Sequence, residues 1–157
     1  MKENIIDIHI KSKEDYKNRY NEKILSYDLA FYILEEAKNK ELKQNIVINI
    51  KSDIKLSDKE KEEVVNMIRC NFGLDVSELI NITKKERMAN TIFAIICILS
   101  LIMYVLLSKV SLISQLLLII GWVFIGEAIC NVLYHGIDNY VKLLRRKQII
   151  NAKINFV

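Results

Sequence analysis

The sequence predicts an α+β membrane protein in which a hairpin of two transmembrane helices carries a small cytosolic domain of about three strands and two helices. Charged residues make up 27% of the 157-residue chain, yet residues 88–134 contain only Lys109 and Glu127. Stretches of alternating isoleucine lie near both ends of the chain. Basic residues flank the apolar region on both sides and predict its orientation.

Two apolar stretches, at 88–108 and 110–134, form the predicted hairpin. Each is long enough to cross a hydrocarbon layer of about 30 Å as a helix. Only a few residues around Lys109 connect them, so the two helices must be antiparallel neighbours. A soluble protein could bury such a hairpin, but the rest of this chain is too short to cover it.

The orientation follows from basic residues, which are enriched in cytoplasmic flanks. The loop has only Lys109, whereas the two flanks contain Lys84, Lys85, Arg87, Lys142, Arg145, Arg146 and Lys147. We therefore expect a multi-pass protein of the cell membrane with both termini in the cytoplasm. The run 142–147 could also attract anionic lipid head groups at about 1 kcal/mol per charge.

The cytosolic domain is predicted from both flanks, with 1–87 forming its α+β body and 135–157 a basic helix and a final strand. Residues 5–11 and 46–51 alternate between apolar and polar side chains, as in strands buried on one face. Residues 150–156 alternate in the same way. Because two strands alone are marginally stable in water, we expect the C-terminal strand to join the other two.

Two helices should cover this sheet. Ser26 can cap the first, which carries apolar residues at helical spacing through about Lys40. A capping box at 57–60 begins the second, whose apolar stripe ends at Gly73 in the position after the helix. Beyond Gly73 we expect a further helix that continues into the first span.

A polar stripe is predicted where the second span leaves the membrane. Spacings of four, four and three place four residues on one face of an α-helix: Glu127, Asn131, His135 and Asp138. A carboxylate in an apolar segment costs on the order of a few kcal/mol, so the stripe could be a proton or ion site, or a contact that titrates with His135. Alternatively, it packs against the first helix near Arg87, Asn90 and Thr91.

No catalytic motif is present in the sequence, and we expect neither enzyme activity nor a cofactor. His9 and His135 are far apart, no Ser or Cys lies in a nucleophile motif, and no glycine-rich phosphate loop occurs. The three cysteines are not at metal-ligand spacing, so no metal site is predicted. The basic run lacks interleaved aromatic residues, which disfavours nucleic acid as a partner.

These features favour a non-enzymatic interaction or sensor module, held in the lipid bilayer by its hairpin and binding an unidentified protein or small molecule. The alternative is an oligomeric pore or membrane-perturbing effector with the polar stripe lining the assembly. Two helices cannot enclose a water-filled path, so this alternative needs several copies. Gly121 and Gly126 permit close helix approach, which leaves a homo-oligomer open.

The second span and its exit resemble a group of small bacterial membrane proteins with two spans. The residues that carry this resemblance are Gly121-Trp122-Val123, Glu127, Tyr134 and the run Lys142-Leu-Leu-Arg145-Arg146. The sequence departs from the group at 135–137, where further aromatic residues and a proline are expected. The resemblance would cover most of the chain and implies the same architecture and a bacterial membrane location, but it supplies no activity.

Overall fold

The chain divides into two units in a computed structural model that describes residues 4–42, 44–107, 109 and 111–157. The first unit contains Met1–Glu78 and Lys142–Val157, and the second contains Leu79–Val141. The first is therefore built from both ends of the chain, and the second from its apolar middle.

A three-stranded parallel sheet lies at the centre of the first unit, which we call the sheet unit. Its strands β1 (Asn4–Ile10), β2 (Ile46–Ser52) and β3 (Lys153–Phe156) lie in the order β1-β2-β3. The register places Ile6 beside Ile48, and Ile48 beside Ile154. The three predicted strands are thus confirmed, with the C-terminal strand joining the sheet through β2.

The prediction that the third strand begins at position 150 is wrong. Ile150 is the last residue of helix α4 (Ile137–Ile150), and the N–H of Ala152 donates to the carbonyl of Ile149 at 3.0 Å. Ile149 and Ala152 are both buried, with 0% and 2% exposure. Ile150 and Ala152, at the end of the helix and just after it, therefore fitted the alternating pattern of a strand without belonging to one.

Helices cover one face of the sheet. α1 (Tyr27–Lys38) begins where predicted, because the Ser26 hydroxyl accepts the N–H of Leu29 at 3.3 Å. α2 (Asp58–Leu106) and α4 contribute the rest of the cover. The fully buried side chains of this core include Ile6, Ile10, Ile33, Ile46, Ile48, Ile50, Val64, Ile68, Phe72 and Ile149. Burying each contributes about 1.5–3 kcal/mol.

The predicted end of the second helix at Gly73 is also wrong, because α2 continues through this position. The capping box itself is present: the Ser57 hydroxyl accepts the N–H of Glu60 at 3.3 Å, and the Ser57 N–H donates to the Glu60 carboxylate at 2.9 Å. A glycine that ends a helix has a positive φ, and none of the described glycines has one. Gly73 is therefore a helical residue that costs about 1 kcal/mol relative to alanine.

The second unit contains two apolar helical stretches. One is the later part of α2, and the other is α3 (Ser111–Cys130), which passes through a π-helical segment (Asn131–Gly136) into α4. Both helices are long and apolar enough to cross a membrane, and only 11% and 6% of their most apolar stretches are buried within the chain. The predicted span ends at Ser108 and Val110 lie outside the described residues.

Small residues allow α2 and α3 to approach closely in the second unit. Cys97, Ser100 and Gly121 are all buried. A Cβ atom added to Gly121 would lie 3.8 Å from the Cβ of Ser100 and 4.0 Å from the carbonyl oxygen of Cys97. Phe93 and Phe124 add an aromatic contact, with ring centroids 5.6 Å apart. This packing is typical of helix pairs whose contact depends on small side chains.

Candidate interaction surface

Aromatic side chains that are not buried in the core lie on the outer face of α1. Leu29 and Ile33 face the core, whereas Tyr27 and Phe31 are 75% and 52% exposed. The rings of Tyr27 and Phe31 stack with their centroids 6.2 Å apart. In the preceding loop, Tyr20 is 92% exposed. We call Tyr20, Tyr27 and Phe31 the aromatic surface.

The loop between β1 and α1, which carries Tyr20, is held by its own hydrogen bonds. The Asp15 carboxylate accepts the backbone N–H groups of Ser12 at 2.9 Å and Lys11 at 2.6 Å, and these bonds lower the pKa of Asp15. The Ser26 hydroxyl donates to the Asp15 carbonyl at 2.6 Å, and the backbone N–H of Ser26 donates to the Tyr16 carbonyl at 2.8 Å. The Tyr16 side chain is fully buried. The loop therefore anchors this surface to the core.

Tyr20 and Tyr27 line a depression of about 820 Å³ in the sheet unit. Ligand sites in proteins commonly measure about 300–1,000 Å³. Its charged lining is balanced between three cations and three anions: Lys13, Lys17, Arg19, Glu14, Glu22 and Asp28. Because these charges offset one another, the aromatic rings are the feature that distinguishes this site.

An ion pair connects the loop to α2. The Lys13 ammonium lies 2.6 Å from Oε1 of Glu60, and the other carboxylate oxygen, Oε2, accepts the N–H of Ser57 at 2.9 Å. The hydrogen bond from Lys13, followed by that from Ser57, lowers the pKa of Glu60 to about 2, and the same pairing raises the pKa of Lys13. Since the pair is open to solvent, its main effect is to orient the loop.

The sequence prediction missed the aromatic surface, although the sequence contains a signal for it. The core stripe of α1 runs through Leu29 and Ile33, which leaves Tyr27 and Phe31 on the face where an amphipathic helix normally carries polar residues. Two aromatic residues one turn apart on that face indicate a surface that contacts something other than water.

The predicted polar stripe lies on the outer surface of the second unit. The side chains of Glu127, His135 and Asp138 are exposed, and Asn131 is half-buried. The π-helical segment begins at Asn131, and its turns contain more residues than those of an α-helix. The predicted placement of all four side chains on one face assumed an α-helical repeat, which this segment does not have.

Of the residues predicted to meet the stripe, Thr91 and Arg87 contact each other. The Thr91 hydroxyl donates to the Arg87 carbonyl at 2.9 Å, and both side chains are exposed. Asn90 is half-buried, and its amide oxygen has no hydrogen bond within the described residues. The sequence prediction did not include Asn139, whose amide donates to both carboxylate oxygens of Glu86 at 2.9 and 3.1 Å.

The predicted head-group residues differ in their environments. Five of them are exposed: Lys84, Lys85, Arg87, Lys142 and Lys147. Arg145 is only 8% exposed, and its guanidinium donates to the Lys38 carbonyl at 3.4 Å, while burial lowers its pKa. Arg146 donates to the Asp75 carboxylate at 3.0 Å. These two arginines therefore have contacts inside the sheet unit.

Comparison with known proteins gives no relative: no family model, no curated protein and no solved structure matches this chain. The resemblance to small two-span bacterial proteins therefore stays a prediction. Within the described ranges, no group of three or more His, Cys, Asp or Glu residues is arranged to hold a metal ion. The aromatic surface and the apolar helices are the features on which a function can be argued.

Proposed function

We propose that the chain is a non-enzymatic interaction module anchored in the cell membrane, whose sheet unit binds a partner through the aromatic surface. The observation that carries this proposal is the exposure of Tyr20, Tyr27 and Phe31 on a unit whose core is otherwise well buried. Exposed apolar patches of this kind mark interaction sites. Tyrosine is also among the residues that most often dominate binding energy.

Membrane anchoring is supported by the two apolar helices, because their most apolar stretches are almost unburied within the chain. Such surface needs either lipid or protein cover. The basic flanks favour an orientation with both termini in the cytoplasm and Lys109 on the other side. The sheet unit would then lie in the cytoplasm, with both of its sequence segments on the same side of the membrane.

Single cysteines introduced into a cysteine-free variant test this topology. We expect Lys109→Cys to react with an impermeant maleimide on intact cells, whereas Tyr20→Cys and Asn151→Cys should react only after permeabilisation. The chain should also stay in the membrane pellet during alkaline carbonate extraction. Opposite labelling of Tyr20→Cys and Asn151→Cys, or release by carbonate, would contradict the proposal.

The partner best suited to the aromatic surface is a protein segment with an apolar face. The stacked rings of Tyr27 and Phe31 provide a flat apolar contact, and the depression beside Tyr20 and Tyr27 can accept a side chain from the partner. Because the lining charges are balanced, neither a strongly acidic nor a strongly basic partner is favoured. A small molecule could occupy the depression but would leave Phe31 uncovered.

Photo-crosslinking in cells tests this surface. With a photoreactive benzoylphenylalanine in place of Phe31, we expect a discrete crosslinked product. The same group in place of Leu74, which is 66% exposed in the same unit, should not form it. Adding Tyr27→Ser should reduce the product about tenfold, because truncating an aromatic hot spot costs at least about 1–2 kcal/mol. Identical products at positions 31 and 74, or no effect of Tyr27→Ser, would refute the assignment.

A second candidate function is an oligomeric pore or membrane-perturbing effector. The observation that favours it is that the Glu127 side chain is exposed within an apolar helix. Charged side chains within spans usually face a protein interior or a water-filled cavity. A single hairpin provides neither for Glu127, so this function would require several copies.

A further inference from the structure

Glu127 and Arg87 are oppositely charged residues on different helices of the hairpin. Both side chains are exposed, and neither the Glu127 carboxylate nor the Arg87 guanidinium has a hydrogen bond or ion pair among the described residues. If the hairpin spans a membrane, as proposed above, the Glu127 carboxylate lies within the second apolar stretch without a partner, and Arg87 lies directly before the first. A carboxylate in that position is costly unless a group of opposite charge pairs with it, and Arg87 is such a group.

The two charges lie near the same level of the hairpin. Gly121 on α3 faces 97–101 on α2, so Glu127, six residues further along α3, lies level with 91–95. Arg87 lies one helical turn beyond Thr91, whose hydroxyl donates to the Arg87 carbonyl. A long arginine side chain can extend along a helix by about that distance.

We propose that this surface is an interface between copies of the chain, in which Glu127 of one copy pairs with Arg87 of the next. The pairing joins α3 of one copy to α2 of its neighbour, and we take it to be head-to-tail, with each copy using α3 toward one neighbour and α2 toward the other. Contacts of this type lead to closed rings or open chains, in contrast to a symmetric dimer. The inference rests on the membrane insertion proposed above, but not on the partner of the aromatic surface.

Disulfide trapping in vesicles tests the pairing while keeping both charges. Native Cys130 is exposed one turn beyond Glu127, and nine residues beyond Gly121 it lies level with 88–92. In a Cys70→Ser, Cys97→Ala background, Thr91→Cys should therefore form disulfides with Cys130 of a neighbouring copy. We expect a ladder of dimers, trimers and larger species on oxidation, measured by non-reducing electrophoresis after carbonate extraction.

Charge variants test whether the disulfide ladder depends on the ion pair between Glu127 and Arg87. In the Thr91→Cys chain, Glu127→Gln or Arg87→Gln should reduce the ladder at least about tenfold, and the exchanged pair Glu127→Arg with Arg87→Glu should restore it. The matched control with Cys130 but without Thr91→Cys should remain monomeric.

Three outcomes would overturn the head-to-tail pairing. A Thr91→Cys product that stops at the dimer, or a dimer in the Cys130-only control, would show a symmetric contact. A ladder that is insensitive to both charge variants would show contact without the ion pair. A Thr91→Cys chain that stays monomeric after oxidation in the carbonate-resistant pellet would show that the copies do not associate. Release of the chain by carbonate would instead refute membrane insertion, and the inference would fall with it.

Discussion

Replacing Ile149 by alanine should destabilise the sheet unit by about 2–5 kcal/mol, a large part of the roughly 5–15 kcal/mol that holds a domain together. Ile149 is fully buried, and it reaches the core from the segment that follows the apolar helices. Truncation would leave a cavity among the isoleucines of the sheet. The expected readout is faster hydrogen exchange in β2, measured by mass spectrometry on the full chain in detergent.

The matched control for this variant is Lys147→Ala on the same helix. Lys147 is exposed, so its truncation should change exchange in β2 by less than the equivalent of about 0.5 kcal/mol. Equal exchange rates in the two variants would mean that the C-terminal segment does not belong to the core, and the described fold of the sheet unit would be wrong.

Polar contacts explain why this segment matters beyond its apolar residues. Arg145 donates to the Lys38 carbonyl at the C-terminal end of α1, where a cation interacts favourably with the helix dipole. Gln148 donates to the Glu41 carbonyl at 2.9 Å. One turn of α4 therefore holds the end of α1 and the loop that leads to β2. The unit is complete only when sequence from both sides of the apolar middle is present.

The parts of the fold that could be predicted from sequence depend on short-range patterns. Alternating isoleucines in β1 and β2 indicate strands with one buried face, and Ser26 and the capping box at 57–60 mark the starts of two helices. The apolar stretches similarly identify helices long enough to span a membrane. In each case the residues that carry the signal lie close together in the sequence, within a single helix or strand or at its start.

The parts that could not be predicted depend on context. Gly73 can end a helix or continue one, and the choice depends on backbone conformation that the residue itself does not fix. The apolar residues at 149–152 fit either a helix end or a strand, and only burial of Ile149 and Ala152 distinguishes them. The π-helical segment at 131–136 has no signature in the sequence, so the angular positions of the polar stripe could not be calculated.

The aromatic surface, too, has one part that short-range sequence patterns could predict and one part that depends on the folded structure. Tyr27 and Phe31 could have been placed on the outer face of α1 from helical periodicity alone. Their proximity to Tyr20 could not, because it depends on the loop geometry set by Asp15 and Ser26. The sequence also could not show that Arg145 turns into the core while Arg87 remains exposed.

Gly121 and Gly126 look alike in sequence, but the structure predicts that a large side chain is destabilising at Gly121 and tolerated at Gly126. A Cβ at Gly121 would touch Ser100 and Leu101 at 3.8 and 3.9 Å, whereas a Cβ at Gly126 would meet no atom within 4 Å. Alanine therefore fits at Gly121 in ordinary contact. Gly121→Leu should instead push α2 and α3 apart and cost about 1–3 kcal/mol, as overpacking does in other well-packed contacts. Gly126→Leu is the matched control and should cost little.

The native thiol of Cys97 provides the measurement, because Cys97 is only 7% exposed and its carbonyl oxygen would lie 4.0 Å from a Cβ atom at Gly121. In a Cys70→Ser, Cys130→Ser background in dilute detergent, a thiol-reactive dye reports the temperature at which the two helices separate. Gly121→Leu should lower this temperature by several degrees, while Gly121→Ala and Gly126→Leu should leave it nearly unchanged. A comparable fall for both leucine variants would mean that Gly121 does not mediate the contact. The small-residue packing between α2 and α3 would then have to be rejected.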